Sequence, residues 1–203
     1  MLLNKIEFVL MNNPIKGYIQ DKMEVRRLRK LSSLKPHKTI LEIGCGNGTG
    51  TKLIKKYFKP KKIYALDLDP RMIDRAVRKN SDPTISFAVG DATTLQFEDN
   101  QFDAIVDFGI IHHIPNWKKS LEELKRVLKQ GGELILEDLS IDTFNTFPGR
   151  FYRAILAHPY AQMYTKDEFI TYLEKLQFTI VREETHHPLG ILKYFVVIAR
   201  KGA

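Results

Sequence analysis

Four glycines fall within seven residues, Gly44, Gly46, Gly48 and Gly50, directly after the apolar run Ile40-Leu41-Glu42-Ile43. Leu53, Ile54, Tyr57 and Phe58 follow at helical spacing. The pattern reads as a buried strand, a tight turn and a helix. Glycines let the chain turn sharply and let a ligand approach the main chain. Amides of the loop and of the helix N-terminus then face that ligand. The dinucleotide pattern G-x-G-x-x-G is not met, because Thr49 stands where the third glycine would be. Asp67 closes a second apolar run, and a carboxylate there can accept hydrogen bonds from both hydroxyls of a ribose. Asp91, in Val89-Gly90-Asp91-Ala92, follows a third run, where an acceptor suits an adenine amino group. Phe108-Gly109 closes a fourth. Open α/β sheets bind ligands beyond the carboxyl ends of their strands. Four successive strand ends therefore carry features that suit one nucleoside-like ligand.

The elements that must hold these residues alternate. Strands are expected at Thr39 to Ile43, Ile63 to Asp67, Ile85 to Val89, Phe102 to Phe108 and Glu133 to Glu137. Helices are expected from Gly50 to Phe58, from Asp69-Pro70 onward with Met72, Ile73, Ala76 and Val77 on one face, and from Trp117 to Lys129. Gly131 and Gly132 are expected to stop the last of these. Alternating strands and helices predict a parallel sheet covered on both faces. Thr165 and Glu168 form a capping-box pattern that opens a helix through Leu176. Two further strands, about Thr179 to Glu184 and Leu192 to Arg200, are separated by His186 to Gly190 and should pair antiparallel.

Taken together, Glu42-x-Gly44-x-Gly46-x-Gly48, Asp67, Gly90-Asp91-Ala92, Phe102-Asp103 and Leu124-Lys125-Arg126-Val127-Leu128-Lys129-Gln130-Gly131-Gly132 resemble the class I S-adenosylmethionine-dependent methyltransferases. The resemblance spans about residues 36 to 138. It implies a Rossmann-like, seven-stranded, mostly parallel sheet with helices on both faces and an antiparallel C-terminal hairpin. It also implies S-adenosylmethionine as cofactor and S-adenosylhomocysteine as product. On this resemblance the loop Glu42 to Gly48, with Gly44, Cys45 and Gly46, contacts the methionine portion. Asp67 takes the ribose and Asp91 the adenine, Leu68 and Ala92 flank the adenine ring, and Phe108 and His112 lie near the methionine end. Cys45 fills a position where that family commonly has small residues or cysteine, so it is not read as a nucleophile.

A sulfonium methyl is already activated, so alignment supplies much of the rate. A general base is needed only where the acceptor still carries its proton. His112 and Asp107 are the catalytic candidates, with Glu137 and Asp138 nearby in sequence. No metal is expected, because adjacent histidines such as His112-His113 should diverge on a strand or a helix. The chain reads as a single domain over residues 1 to 203. Residues 1 to 30 form a helical cap or lid, 36 to 138 the cofactor core, 139 to 164 a substrate-side insertion, and 165 to 203 a helix and hairpin. The aromatics of that insertion, Phe144, Phe147, Phe151, Tyr152, Tyr160 and Tyr164, with Phe8 and Met11 of the cap, favour a small apolar or aromatic acceptor.

The net charge is +8. Basic residues gather at Arg26, Arg27, Arg29 and Lys30 and at Lys52, Lys55, Lys56, Lys59, Lys61 and Lys62. Without interleaved aromatics these stretches do not form a base-stacking platform. Asp107-Phe108-Gly109-Ile110 stands where enzymes that methylate base amino groups usually carry an Asn/Asp-Pro-Pro-aromatic motif. Nucleic acid is therefore a less favoured partner than a small molecule. A nicotinamide-dependent oxidoreductase is disfavoured by the imperfect glycine pattern, while a non-catalytic cofactor-binding module stays open. No apolar run reaches the length of a membrane span, and Met1 to Leu10 lacks the features of a signal peptide. A single cysteine, Cys45, permits no internal disulfide, and the expected setting is the cytoplasm. Oligomeric state is not readable from the sequence.

Overall fold

The computed structural model describes residues 18, 20–156, 158–187 and 192–202. Phe8 and Met11 of the expected cap, the side chain of Tyr152 and part of the turn around Gly190 lie outside the described residues. Among the described residues, no helix is long and apolar enough to cross a membrane.

Seven strands form one sheet: β1 (Thr39–Ile43), β2 (Lys62–Asp67), β3 (Ile85–Val89), β4 (Phe102–Phe108), β5 (Leu128–Leu139), β6 (Phe178–His186) and β7 (Tyr194–Lys201). Their order is β3-β2-β1-β4-β5-β7-β6. Pairing is parallel from β3 to β5 and antiparallel for β5·β7 and β7·β6. The helices are α1 (Arg26–Leu31), entered through a π-helical turn at Gln20–Val25, α2 (Thr49–Phe58), α3 (Pro70–Lys79), α4 (Trp117–Val127), α5 (Ile141–Asn145), α6 (Phe147–Ile155) and α7 (Lys166–Lys175).

Side chains alternate across the pleat, so neighbouring strand residues feed opposite faces. Leu41, Ile105, Leu134, Leu136 and Val197 join one core with Leu121 and Leu124 of α4 and Phe169 and Leu173 of α7. Ile40, Ala104, Val106, Ile135, Val196 and Ile198 join the other, with Leu28 of α1 and Leu53, Ile54 and Phe58 of α2. The central strands are apolar on both sides for this reason, which is the pattern a doubly covered sheet requires. Asp69 caps α3 by accepting from the Arg71 amide at 2.9 Å. Thr165 and Glu168 complete the expected capping box of α7. Val77, expected on the buried face of α3, is exposed, so that stripe narrows to Met72, Ile73 and Ala76.

The end of α4 differs from the expectation. The helix stops at Val127, because Leu128 already pairs with Phe102 and begins β5. The Lys201 ammonium donates to the carbonyls of Lys125 (2.8 Å) and Leu128 (2.6 Å), supplying the charge that a helix C-terminus favours. Arg126 reaches outward to the carbonyls of Leu95 (2.9 Å) and Phe97 (2.8 Å) and fastens the connection between β3 and β4.

Tyr57 lies inside the second basic stretch, so that stretch does contain an aromatic. The ring is engaged by its neighbours: Arg26 lies 5.5 Å from its centroid and Lys56 4.8 Å, and its hydroxyl donates to Asp21 at 2.5 Å. Phe144 and Tyr164 are buried, whereas Phe147 and Phe151 are 92% and 67% exposed.

Glu133 binds the N-terminal helix to the sheet. Its carboxylate accepts from Ser32 at 2.7 Å, from Ser33, and from Arg200 at 3.2 Å. Burial alone would raise this carboxyl, but Ser33, Ser32 and Arg200 together hold it below the ordinary value. A depressed acid stabilises the fold above its unfolded pKa and loses that contribution as pH falls. Glu133→Ala is expected to cost about 1–3 kcal/mol in denaturant unfolding at pH 7, with the difference from wild type shrinking below about pH 4. An equal deficit at pH 3 and pH 7 would rule out the charge-assisted tie.

Candidate functional site

The strand order reverses between β1 and β4: β2 and β3 lie to one side, β4 and β5 to the other. A crevice opens beyond the carboxyl ends of strands at such a point. A cleft of about 410 Å³ lies there. Its walls include Glu42, Gly44, Cys45, Gly46, Asp67, Leu68, Asp91, Ala92 and Phe108, which are nine of the ten residues expected to meet a cofactor.

Local geometry explains the loop. Gly44 has φ +66°, and a Cβ there would come within 2.2 Å of the Ile110 side chain, so both conformation and space demand glycine. Gly46 has φ +52°, and a Cβ there would meet nothing within 4 Å. That position is left bare on the cleft side, where a ligand can approach the backbone. Asn47 accepts from the amide (3.2 Å) and hydroxyl (2.6 Å) of Thr49, just ahead of α2, whose N-cap is Gly48 at φ +79°.

Asp67 is tied to this loop. One carboxylate oxygen accepts the Gly46 amide at 2.8 Å and the other the Asp69 amide at 2.9 Å. Burial raises its pKa, and those two amides oppose the shift. Each oxygen keeps a second lone pair, so a hydroxyl pair remains within its capacity. Asp91 is exposed, and its Oδ1 accepts from the amide and hydroxyl of Thr93, both at 2.8 Å. It caps its own turn and lines the cleft at once. Glu42 is fully enclosed: burial pushes its carboxyl up to about 8, against the opposing hydrogen bond from Thr51 at 2.5 Å. Burial, followed by Glu42 and Asp67, also raises the Cys45 thiol well above its ordinary value, which fits an inert side chain.

The far wall departs from the expectation. The cleft is lined there by Gly109, Ile110, His113, Ile114 and Pro115; neither His112 nor Asp107 lines it. Ile111–His113 forms a short 3-10 turn, which sends His113 toward the cleft and His112 inward. His112 Nδ1 meets Asp138 Oδ1 in a close contact. Asp138 also accepts from the Tyr164 hydroxyl at 2.8 Å and from the amides of His112 (3.2 Å) and Leu139 (2.7 Å). Asp107 accepts the Ile110 amide at 3.0 Å, and burial followed by Asp138 raises its pKa well above the usual carboxylate range.

The rings of His112 and His113 do not diverge, as adjacency on a regular element would require; their centroids lie 4.2 Å apart. His158 stacks on His113 at 4.3 Å. Burial and then His112 push His158 down to about 3, so its ring is neutral. None of the described residues from 139 to 164 lines the cleft, and the expected aromatic pocket wall is absent among them. Gln20, which the sequence did not single out, does line it. Its position ahead of a basic helix carried no chemical signal.

The family described as "Methyltransferase domain" matches residues 41–136. A phthiotriol/phenolphthiotriol dimycocerosates methyltransferase of Mycobacterium leprae is 34% identical over 102 residues, covering 50% of this chain and 38% of the relative. A fatty-acid O-methyltransferase of Mycolicibacterium smegmatis is 35% identical over 101 residues, covering 50% and 37%. The matched region thus spans well under half of those relatives. Among solved structures, a SAM-dependent methyltransferase from Aquifex aeolicus superposes with a TM-score of 0.74 at 21% identity over 98% of this chain and 99% of its own. A chain from a complex between the Haloferax volcanii Trm112 methyltransferase activator and a methyltransferase gives 0.81 at 13% identity, with 100% of each covered. The methyltransferase-domain match over residues 41–136 takes in the glycine loop and the strand ends that line the cleft, and the two solved structures share this chain's fold.

Proposed function

We propose that this chain transfers the methyl group of S-adenosylmethionine to a small lipophilic acceptor. The observation that carries the reading is the cleft at the β1/β4 reversal, in which the bare Gly46 backbone and the Asp67 carboxylate face one cavity. The lipophilic class rests on the relatives, one of which is named for fatty acids and another for phthiotriol lipids.

The donor supplies an electrophilic methyl carbon on a sulfonium. Around it, the Gly44 to Gly46 backbone and Glu42 hold the methionine portion. Asp67 holds the ribose through its free lone pairs, and Asp91, Ala92 and Leu68 hold the adenine. Phe108 and His113 border the methionine end. His112 and Asp107 stand behind the wall and act as positioning residues: Asp107 fixes the turn through the Ile110 amide, and His112 is fixed by Asp138. The acceptor meets the donor near His113 and Gln20 and is aligned by the enclosure of the cleft. Residues 36 to 138 form the cofactor core, with the N-terminal segment as cap. Val25 and Leu28 are fully buried, so truncation through residue 30 would open the core, and Gln20→Ala is the cleaner probe of the acceptor side.

Four outcomes are expected. Labelled methyl should pass from the donor to a component of a lipid extract, read by mass spectrometry; Gln20→Ala should lower turnover while leaving S-adenosylhomocysteine affinity within about threefold. Asp67→Ala should weaken S-adenosylhomocysteine by about 10–100-fold, near 1.4–2.8 kcal/mol, in calorimetry; affinity within twofold of wild type would end the assignment of that carboxylate. The fourth concerns Glu42, which is largely protonated at pH 7 in the free protein. A cationic amino group beside it favours the ionised form, so binding must expel a proton below about pH 8. Affinity should therefore rise with pH between about 6 and 8, at most about tenfold per pH unit, and level off above. Glu42→Gln should flatten the profile; an equally flat profile in the wild type would remove Glu42 from the ligand's surroundings.

A further inference from the structure

In the reading above His113 borders the cleft and His112 stands behind its wall, while His158 has no part. His112 and His113 come from the turn after β4, and His158 from the segment after α6. One ring nitrogen from each lies within 4.8 Å of the other two. The ring centroids are 4.2, 4.3 and 5.0 Å apart. Tetrahedral zinc with bonds of about 2.0–2.1 Å needs ligand nitrogens about 3.3 Å apart, so the nitrogens must draw together by up to about 1.5 Å and the rings must tilt out of their stack to close the set.

We propose that His112, His113 and His158 form a three-histidine site for a divalent first-row transition ion, with Zn²⁺ as the first choice, at the wall of the cleft. Imidazole nitrogens suit Zn, Cu, Fe and Ni, whereas oxygen-seeking Mg and Ca would find no ligands of their kind in this trio.

Two observations besides proximity support the site. The first is the surroundings of His112. A metal-binding imidazole commonly gives its other ring nitrogen to a carboxylate, which fixes tautomer and orientation. His112 Nδ1 faces Asp138, which leaves Nε2 for the ion. Asp138 is itself held by Tyr164 and two backbone amides. That is the support a ligand needs and more than a packing histidine requires.

The second is unmet polarity. Both ring nitrogens of His158 are buried without a hydrogen-bond partner, with Phe144 at 5.1 Å and Tyr160 at 5.5 Å between ring centroids. An imidazole left in that state loses its bonds to water and gains none in return. Three carboxyl groups, Asp107, Glu137 and Asp138, are buried in the same region. Among the described residues no lysine or arginine forms an ion pair with any of them; only His112 and His186 approach. A stack of imidazoles alone leaves the His158 nitrogens without a partner, whereas a divalent ion would engage them and place positive charge beside the buried carboxyl groups. Three protein ligands leave a fourth position open, as in zinc sites that bind a substrate atom or water. His113 belongs both to the trio and to the cleft lining, so the ion would lie against the acceptor's space.

The test uses the full chain after chelator treatment, titrated with Co²⁺ and then Zn²⁺. One equivalent of Co²⁺ should bind and give the visible d–d absorption of a low-coordinate site, and one equivalent of Zn²⁺ should abolish it. His158→Gln and His113→Gln should each lose that spectrum. Asp138→Asn should weaken the ion by about 10–100-fold. His186→Gln/His187→Gln should keep the full equivalent. Absence of binding by the wild-type chain would overturn the proposal, as would unchanged affinity in His158→Gln or loss of the equivalent in the His186/His187 variant. If His158→Gln fails to fold, the wild-type titration and His113→Gln still decide. S-adenosylhomocysteine binding by the metal-free chain, measured in parallel, separates failure of the ion site from failure of the methyltransferase reading.

Discussion

The hydrogen bond from the Gly46 amide to Asp67 joins the tip of β1 to the tip of β2, and the geometry of the cleft depends on it. Parallel pairing brings the two strand ends side by side, with Ile43 opposite Leu66. The glycine loop could leave that point in many directions. The carboxylate selects one, in which Gly46 turns its bare side to the cavity. A second bond, from the Cys45 amide to the Leu66 carbonyl at 2.8 Å, acts in the same sense. The same acid that can receive a ribose therefore first orders the loop that would receive the rest of the ligand.

The buried acids set the electrostatic character of the region. Glu42 sits at one side of the strand tips and Asp107, Glu137 and Asp138 at the other. Desolvation raises Glu42 and Asp107 and so keeps protons on carboxyl groups that would otherwise repel one another. A cationic ligand entering this region meets acids that can release those protons. Preference for positive charge is thus held in reserve without the cost of several bare carboxylates in a dry interior.

Much of the fold was legible because its signals are local. Strands β1, β3 and β4 matched residue for residue, since apolar runs bounded by glycine or aspartate have few other readings. Asp69 and Thr165 announced their helices through capping chemistry. What escaped depended on distant partners. The shortened α4 reflects Leu128 pairing with Phe102 and a lysine from the last strand, neither visible in the helix itself. The exchange of His113 for His112 at the cleft follows from a 3-10 turn whose direction no periodicity encodes. His158 joined the pair through the path of the chain after α6, and its aromatic neighbours turned away from the cleft for the same reason. The part of the chain beyond the shared core is where acceptor choice would be written, and there sequence pattern says least.

The outer strand β6 has one more consequence. A bare sheet margin invites another chain to extend it by backbone pairing. Along β6, Arg182, Glu183 and Glu184 are exposed in succession, with mixed charges that oppose such growth. The opposite margin, β3, is only 5 residues long and offers little template. Lateral polymerisation is thereby disfavoured at both borders.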